Sequence, residues 1–428
     1  MTPEDNEILS RTGPASPLGK VMRRYWLPAL LSRELQKDGE PQRLRLLGED
    51  LIAFRDSSGR VGLFDEHCRH RGTSFYWGNN EKDGIRCWYH GWKFDVNGNC
   101  LELPNDPNGE RLRERVKQKC YPAIERGGVV FTYMGPPELK PAFPELEWAN
   151  LPEGQVYVSK RLQQCHWLQG LEGDIDSSHI GFLHGMHTMS KATEYDMSAQ
   201  AKYVGGDVHP KFEIVEKPNG LLQGARRDAA DGSSYWRIGG WLMPCFTLLP
   251  GFPGDSPLGG HAWVPVDDDR VWVFGVNWHP RRKFTAEELR QYHEGSPTGL
   301  HSTMTPGSFT ALRNKSNDYA HADAPPGAKR WQRITIFQDQ DTAVTESMGA
   351  DFDRTQEFLC GSDIVIVSVR RRLLAAARDL MMGKAPPNDP REFRYRGISC
   401  VLPRDTRSWA DAVAEAMDAR PETFTESV

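Results

Sequence analysis

Four potential metal ligands stand in a fixed order early in the chain, Cys68-x-His70 and then Cys87-x-x-His90. Each pair runs cysteine first and histidine second, and a glycine follows each histidine closely, Gly72 after His70 and Gly91 after His90. Two thiolates and two imidazoles are the ligand set of a [2Fe–2S] cluster whose cysteines hold one iron and whose histidines hold the other. Neutral imidazoles raise the potential above that of an all-cysteine cluster. Glycine lets a tight loop turn its backbone N–H groups toward the cluster sulfurs.

A Cys₂His₂ zinc site is the alternative, but zinc fingers group their cysteines together and their histidines together. The interleaved order therefore favours a Rieske-type centre. The positions two after each cluster histidine hold Gly72 and Trp92, with no neighbouring cysteine to brace the loops by a disulfide. That matches the lower-potential centres of oxygenases and their ferredoxins. Cys100, Cys120, Cys165, Cys245, Cys360 and Cys400 show no paired spacing and read as reduced cysteines of a cytoplasmic protein. The net charge of −5 is spread over interspersed acids and bases, which leaves no electrostatic footprint for nucleic acid. There is no apolar run long enough for a membrane span, and residues 1–7 lack the character of a signal peptide.

At 428 residues the chain has room for two domains. A polar leader and a short amphipathic helix over 18–26 come first, and residues 1–40 are expected to pack on the larger domain. Residues 41–140 carry strand and turn signals: a hairpin over 43–55 turning at Gly48, strands at 61–64 and 92–94, and a strong strand at 127–134. This is a small antiparallel β domain with both cluster pairs on its loops. A proline-rich connection (Pro136, Pro137, Pro141, Pro144) leads into residues 141–428. There, strand-like runs recur at 155–159, 211–215, 235–238, 245–249, 261–264 and 271–278. Helical signals appear at 167–184, 286–293 and 362–382, the last stopped by Gly383. The fold class is α+β, with a curved antiparallel sheet and long helices in the second domain.

A second metal motif lies in the first of those helical segments, Asp176-x-x-His179-x-x-x-x-His184. Asp176 and His179 share a helix face, whereas His179 and His184 are about 140° apart on an ideal helix. Both imidazoles reach one metal only if the turn at Gly181 widens in π fashion or breaks. Two histidines with a carboxylate from elsewhere form the facial triad of a non-haem Fe(II) oxygenase, with positions left open for O₂ and substrate. Two satisfied histidines at a helix end are the alternative, and an electron-transfer cluster in the same chain argues against it.

These motifs resemble the large subunit of Rieske non-haem iron aromatic oxygenases, in the branch of phthalate 4,5-dioxygenase and 3-chlorobenzoate dioxygenase. The resemblance rests on residues 11–26, the cluster motif, L-E-G-D-I-D-S-S-H at 171–179, R-N-K-S-N-D-Y at 313–319, Q-D-T-A-V-T-E-S-M-G at 340–349, and residues 353–359 and 362–374. It implies a helix-grip-like catalytic domain and a mononuclear Fe(II) held by His179, His184 and Asp341, with Asp339 as the competing third ligand. Asp176 is then the bridging carboxylate between His179 and the neighbouring subunit's cluster ligand, which requires a homotrimer or homohexamer. The family pattern has Asn where this chain has His166, a residue placed to alter hydrogen bonding near the iron or to act as a stray ligand.

The resemblance further implies an oxygenase that uses O₂ and NAD(P)H electrons from a separate flavin and iron–sulfur reductase. No flavin or nicotinamide glycine fingerprint occurs in this chain. The expected reaction is hydroxylation, first of all cis-dihydroxylation, of an aromatic carboxylate resembling phthalate or a halobenzoate. O-demethylation or monooxygenation of a methoxylated aromatic acid is a second use of the same centre. A pure electron carrier is a reading of another class, and the long second domain speaks against it. Arg226, Arg227 and Arg237 are the candidates for a substrate carboxylate. Phe182, Trp241 and Phe246 are candidates for the pocket wall, with core packing as the alternative. Asn314, Asn317 and Asp318 are either near the iron or in ordinary turns. The run 370–372 (Arg-Arg-Arg) reads as a solvated helix face.

Overall fold

The computed structural model describes residues 1–184, 198–251, 255–295, 300–323 and 333–419. Helices Pro3–Ser10 and Pro17–Met22 each start with proline in the first turn and a hydroxyl cap, Thr2 and Ser16. They pack on the long helix Ile364–Met381 of the second domain. The chain then enters β1 (Trp26–Leu31), which joins the small domain's sheet and not the larger body.

The small domain continues through β2 (Gln42–Leu46), β3 (Glu49–Arg55) and β4 (Val61–Asp65), then β5 (Asn79–Glu81), β6 (Gly84–Arg86), β7 (Lys93–Phe94) and β8 (Cys100–Glu102), and closes with β9 (Ala123–Arg126) and β10 (Val129–Tyr133). These form three antiparallel sheets, β1-β10-β9, β2-β3-β4 and β5-β6-β7-β8. Phe54, Phe64, Phe75 and Phe94 meet edge to face in sequence, with centroids 4.9, 5.6 and 5.8 Å apart. They make a separate apolar core beneath Cys68 and Cys87.

The second domain is built on one antiparallel sheet of β11 (Val156–Gln163), β12 (Lys211–Lys217), β13 (Gly220–Asp228), β14 (Ser233–Leu242), β15 (Phe246–Leu249), β16 (Leu258–Pro265), β17 (Val271–Trp278) and β18 (Ile398–Pro403). The order is β11-β17-β16-β15-β14-β13-β12, and β18 pairs with the first half of β14. Helix Trp167–Ile175 crosses β14, β15 and β16, with helix Phe337–Ser347 packed against it. The crossing is close because position 170 is glycine: a Cβ there would lie 2.2 Å from the Trp263 ring. The α+β class expected for the chain is the one observed. All eight cysteines are free, and no helix among the described residues is long and apolar enough to cross a membrane.

Candidate active site and metal centres

The four cluster candidates sit on two matching loops. In each, the glycine N–H closes a turn on the cysteine carbonyl, Gly72 to Cys68 at 2.9 Å and Gly91 to Cys87 at 3.0 Å. Both glycines are left-handed, with φ of 78° and 73°, a conformation that costs other residues energy. The His70 and His90 rings lie 4.3 Å apart by centroid, and Trp92 stacks on His70 at 4.2 Å. Trp92 is fixed in turn by a hydrogen bond from its Nε1 to Asn105 Oδ1. His70 Nδ1 is buried and has no hydrogen-bond partner, as a nitrogen reserved for a metal must be. The hydrogen bond with Cys68 lowers the Cys87 thiol against the opposing effect of burial, with the N–H groups of Tyr89 and His90 adding to the lowering. The residues present therefore fit a two-thiolate, two-imidazole cluster.

The second centre is made where helix Trp167–Ile175 stops. Asp176 leaves the helix in extended geometry, and its Oδ1 accepts from Ser178 N–H at 2.7 Å and Ser178 Oγ at 2.6 Å. This local bonding competes with the helical ladder and ends it. The break expected at Gly181 therefore falls at 176–178, and a new short helix, Ile180–Leu183, separates His179 from His184. Helix Phe337–Ser347 brings in Asp341, and the ligand atoms of His179, His184 and Asp341 lie within 4.8 Å of one another. Asp341 Oδ1 is 3.0 Å from His184 Nε2 and 3.7 Å from His179 Nε2. The other nitrogen of His184 meets Gln340 Oε1 at 2.8 Å, and the ring stacks on Phe337. Burial opposes charge on Asp341, but His184 and His179 hold the carboxyl below its ordinary range. Two imidazoles and one carboxylate suit Fe(II) with open positions. Asp339 points away and accepts from Ser302 Oγ.

His179 and Asp341 open onto a cavity of about 400 Å³, with His184 buried behind them. Arg237 lines it, but Arg226 and Arg227 do not. Successive residues of β13 face opposite sides of the sheet. Arg226 lies over Trp236 and near Asp228, while the buried Arg227 donates to the carbonyls of Ser177 and Asp207. Trp241 and Phe246 belong to the core, and Phe182 is exposed, so none of the three forms the cavity wall. Asn314 and Asn317 bond within their own turn, and Asp318 is exposed. His166 is no stray ligand. It caps helix Trp167–Ile175 through Leu168 N–H, accepts from Arg354 and donates from Nε2 to the Ser10 carbonyl. The 370–372 run is not a uniform solvated face either. Arg370 is buried between Glu172 and Glu357, Arg371 is exposed, and Arg372 reaches Glu216.

Cavity residues that sequence reasoning passed over include Arg161, His261 and His301. The available signal was the alternation Ser159, Arg161, Gln163, a polar stripe on one face of an otherwise apolar strand.

Residues 25–122 match the Rieske [2Fe-2S] domain family, and residues 132–400 match the family described as LigXa C-terminal domain like. The chain is 37% identical over 389 residues to the 3-chlorobenzoate-3,4-dioxygenase oxygenase subunit of Comamonas testosteroni, covering 88% of each. It is 33% identical to the phthalate 4,5-dioxygenase oxygenase subunit of Pseudomonas putida, over 90% of this chain and 88% of that one. Dicamba monooxygenase shares the fold, with a TM-score of 0.58 at 16% identity, covering 85% of this chain and 99% of that chain. Its relatives being oxygenase subunits along nearly their whole length, this chain belongs to the Rieske-type aromatic ring-hydroxylating oxygenases.

Proposed function

We propose that the protein hydroxylates an aromatic carboxylate of the phthalate or halobenzoate kind, first of all by cis-dihydroxylation, in the cavity beside His179, His184 and Asp341. The observation that carries this reading is the convergence of three metal-ligating side chains, two of which, His179 and Asp341, line a cavity of small-molecule size that also holds Arg161 and Arg237. Relatives with chlorobenzoate and phthalate as substrates support the same class.

In this reading Cys68 and Cys87 hold one iron of the cluster and His70 and His90 the other, while His179, His184 and Asp341 hold the mononuclear Fe(II). Such a pair of centres supplies the reductive activation of O₂ beside a bound substrate. Gln340 orients His184, and Asp176 orients His179. Electrons come from a separate NAD(P)H-dependent flavin and iron–sulfur reductase in the cytoplasm. A homotrimer or pair of trimers is supported by exposed aromatic residues at both centres. Trp88 and Tyr89 lie between Cys87 and His90, and Phe182 lies between His179 and His184. Asp176 is then the carboxylate that links His179 to the partner subunit's cluster.

The test is single turnover of chemically reduced protein with phthalates, halobenzoates and methoxybenzoates. A cis-diol from one of the first two groups is the expected product. Formaldehyde from a methoxybenzoate, with no diol from any acid, marks an O-demethylase instead.

A further inference from the structure

We infer that Arg161, assisted by His261, forms the carboxylate-binding subsite of the cavity. The inference rests on the reading of the substrate as an aromatic acid. Across three strands the register is Ser159 beside Gly275 beside His261, with Arg161 two residues further along β11. Ser159, Arg161, Gly275 and His261 all line the cavity.

Arg161 is 7% exposed, and its Nε has no hydrogen-bond partner. Its hydrogen bond to Thr342 Oγ1 is long, at 3.4 Å. Among the described residues no carboxylate is in ion-pair contact with it. Asp341, Asp174 and Asp339 act on it only through space, and burial depresses its pKa. All three acids are engaged elsewhere. Asp341 faces the two histidines, and Asp339 accepts from Ser302. Asp174 Oδ2 accepts from Thr247 Oγ1 at 2.6 Å, Trp263 Nε1 at 2.6 Å and His261 Nδ1 at 2.8 Å. A buried guanidinium left this way calls for an anion, and a carboxylate matches its fork.

The second group is held in place by the same Asp174. An ionised carboxylate can only accept, so Nδ1 of His261 donates to Asp174, and with a proton on Nε2 as well the ring's other N–H is a donor turned toward the floor at Gly275. A Cβ at position 275 would come within 3.6 Å of His261 Nε2 and 2.7 Å of Ser159 Oγ. Glycine there leaves a notch between the two polar groups. His301 also lines the cavity, and burial first, with His261 and Arg161 adding, pushes it down to about 4, so it sits there as a neutral imidazole. Although Asp174, Asp176 and Asp341 also line the cavity, Arg161 faces it with no carboxylate of the described residues in contact with it.

The experiment is calorimetric titration of the metal-loaded protein with 3-chlorobenzoate and phthalate, beside methyl 3-chlorobenzoate and 3-chlorobenzamide as neutral probes. Wild type is expected to prefer an acid over both neutral probes. Arg161→Met is expected to weaken that acid by about 10- to 100-fold, the worth of hydrogen bonds to a charged group, with the ester unchanged. Arg161→Lys recovers part of the loss, and His261→Gln shows a smaller loss of the same selectivity. Cluster absorbance and iron content verify that each variant is intact. If Arg161→Met does not load metal, Arg161→Lys and His261→Gln decide the matter, and wild-type acid selectivity in both overturns the subsite. Acid selectivity kept in all of these variants but lost in Arg237→Met also overturns it, while leaving the substrate class standing. Wild type that binds the neutral probes as tightly as the acids removes the substrate class and the subsite together.

Discussion

Asp176 turns its Oδ2 to within 3.4 Å of His179 Nδ1, so the opposite nitrogen of that imidazole is the one facing Asp341 Oδ1 at 3.7 Å. A carboxylate on one side of a histidine fixes which nitrogen is free for a metal on the other. Asp176 is itself fixed by two bonds from Ser178, and Arg227 anchors the carbonyl of the intervening Ser177. The same three residues that end the helix therefore aim the His179 ring.

His179→Ala removes one of the two imidazoles from the mononuclear trio and touches nothing in the small domain. The expected protein keeps the visible absorption of the cluster and loses the mononuclear iron. Oxygenation falls below about one-hundredth of wild type, beyond the range typical for a residue that merely supports a ligand. Metal analysis with product formation checks it, and full turnover would remove His179 from the site.

Asp176→Asn keeps the Ser178 bonds to Oδ1 possible but weakens the hold on His179 Nδ1. Both metals should remain, with turnover reduced about 10- to 100-fold. In the proposed assembly the loss lies in electron delivery. Stopped-flow reoxidation of the reduced cluster by O₂ and substrate should slow in step with turnover. Reoxidation at the wild-type rate would show that the carboxylate does not join the two centres.

The cluster loops were legible in the sequence because four ligands and two left-handed glycines admit few arrangements, and strand alternation on either side is strong. The grouping of His179, His184 and Asp341 was legible only with the resemblance, since Asp339 and Asp341 both lie on helix Phe337–Ser347 and only packing decides which meets His184. Where sequence reasoning missed, the missing information was orientation. Adjacent arginines on β13 face opposite sides, and nothing local tells which side the cavity occupies. Three consecutive arginines on a helix span about 200°, and Arg370 falls on the same face as the buried Leu373, Leu374 and Ala377, so it is the one that left the solvent face. The helix end at Asp176 was hidden because Ser178 competes with the backbone by a contact that periodicity does not register.

Arg370 holds Glu172 by two hydrogen bonds of 2.6 and 2.7 Å, and Glu357 on its other side. Glu172 belongs to the helix that carries Asp174, so this buried triplet ties the cavity wall to helix Ile364–Met381. Arg370→Met leaves Glu172 buried without its cation and is expected to cost about 3–5 kcal/mol of stability. Adding Glu172→Gln should return a good part of that, because the stranded charge is gone. Urea unfolding followed by tryptophan fluorescence measures both. Equal stability of the single and double variants would show that the stranded Glu172 charge is not what destabilises Arg370→Met.

His166 provides a pH test away from both metals. Burial first, and the Arg354 charge second, hold this imidazole well below its ordinary value, although the Ser10 carbonyl favours the proton. The unfolded chain therefore binds a proton here, below about pH 6.5, that the folded chain refuses. Stability contributed by the neutral imidazole is full above that pH and is lost as pH falls through it, at up to about 1.4 kcal/mol per pH unit. His166→Asn keeps a side chain suited to cap helix Trp167–Ile175 but has nothing to titrate. Its stability should fall less steeply than wild type between pH 6.5 and 5 by roughly that slope. The two proteins are compared by urea unfolding at several pH values, and parallel curves would show that His166 accepts its proton in the folded state.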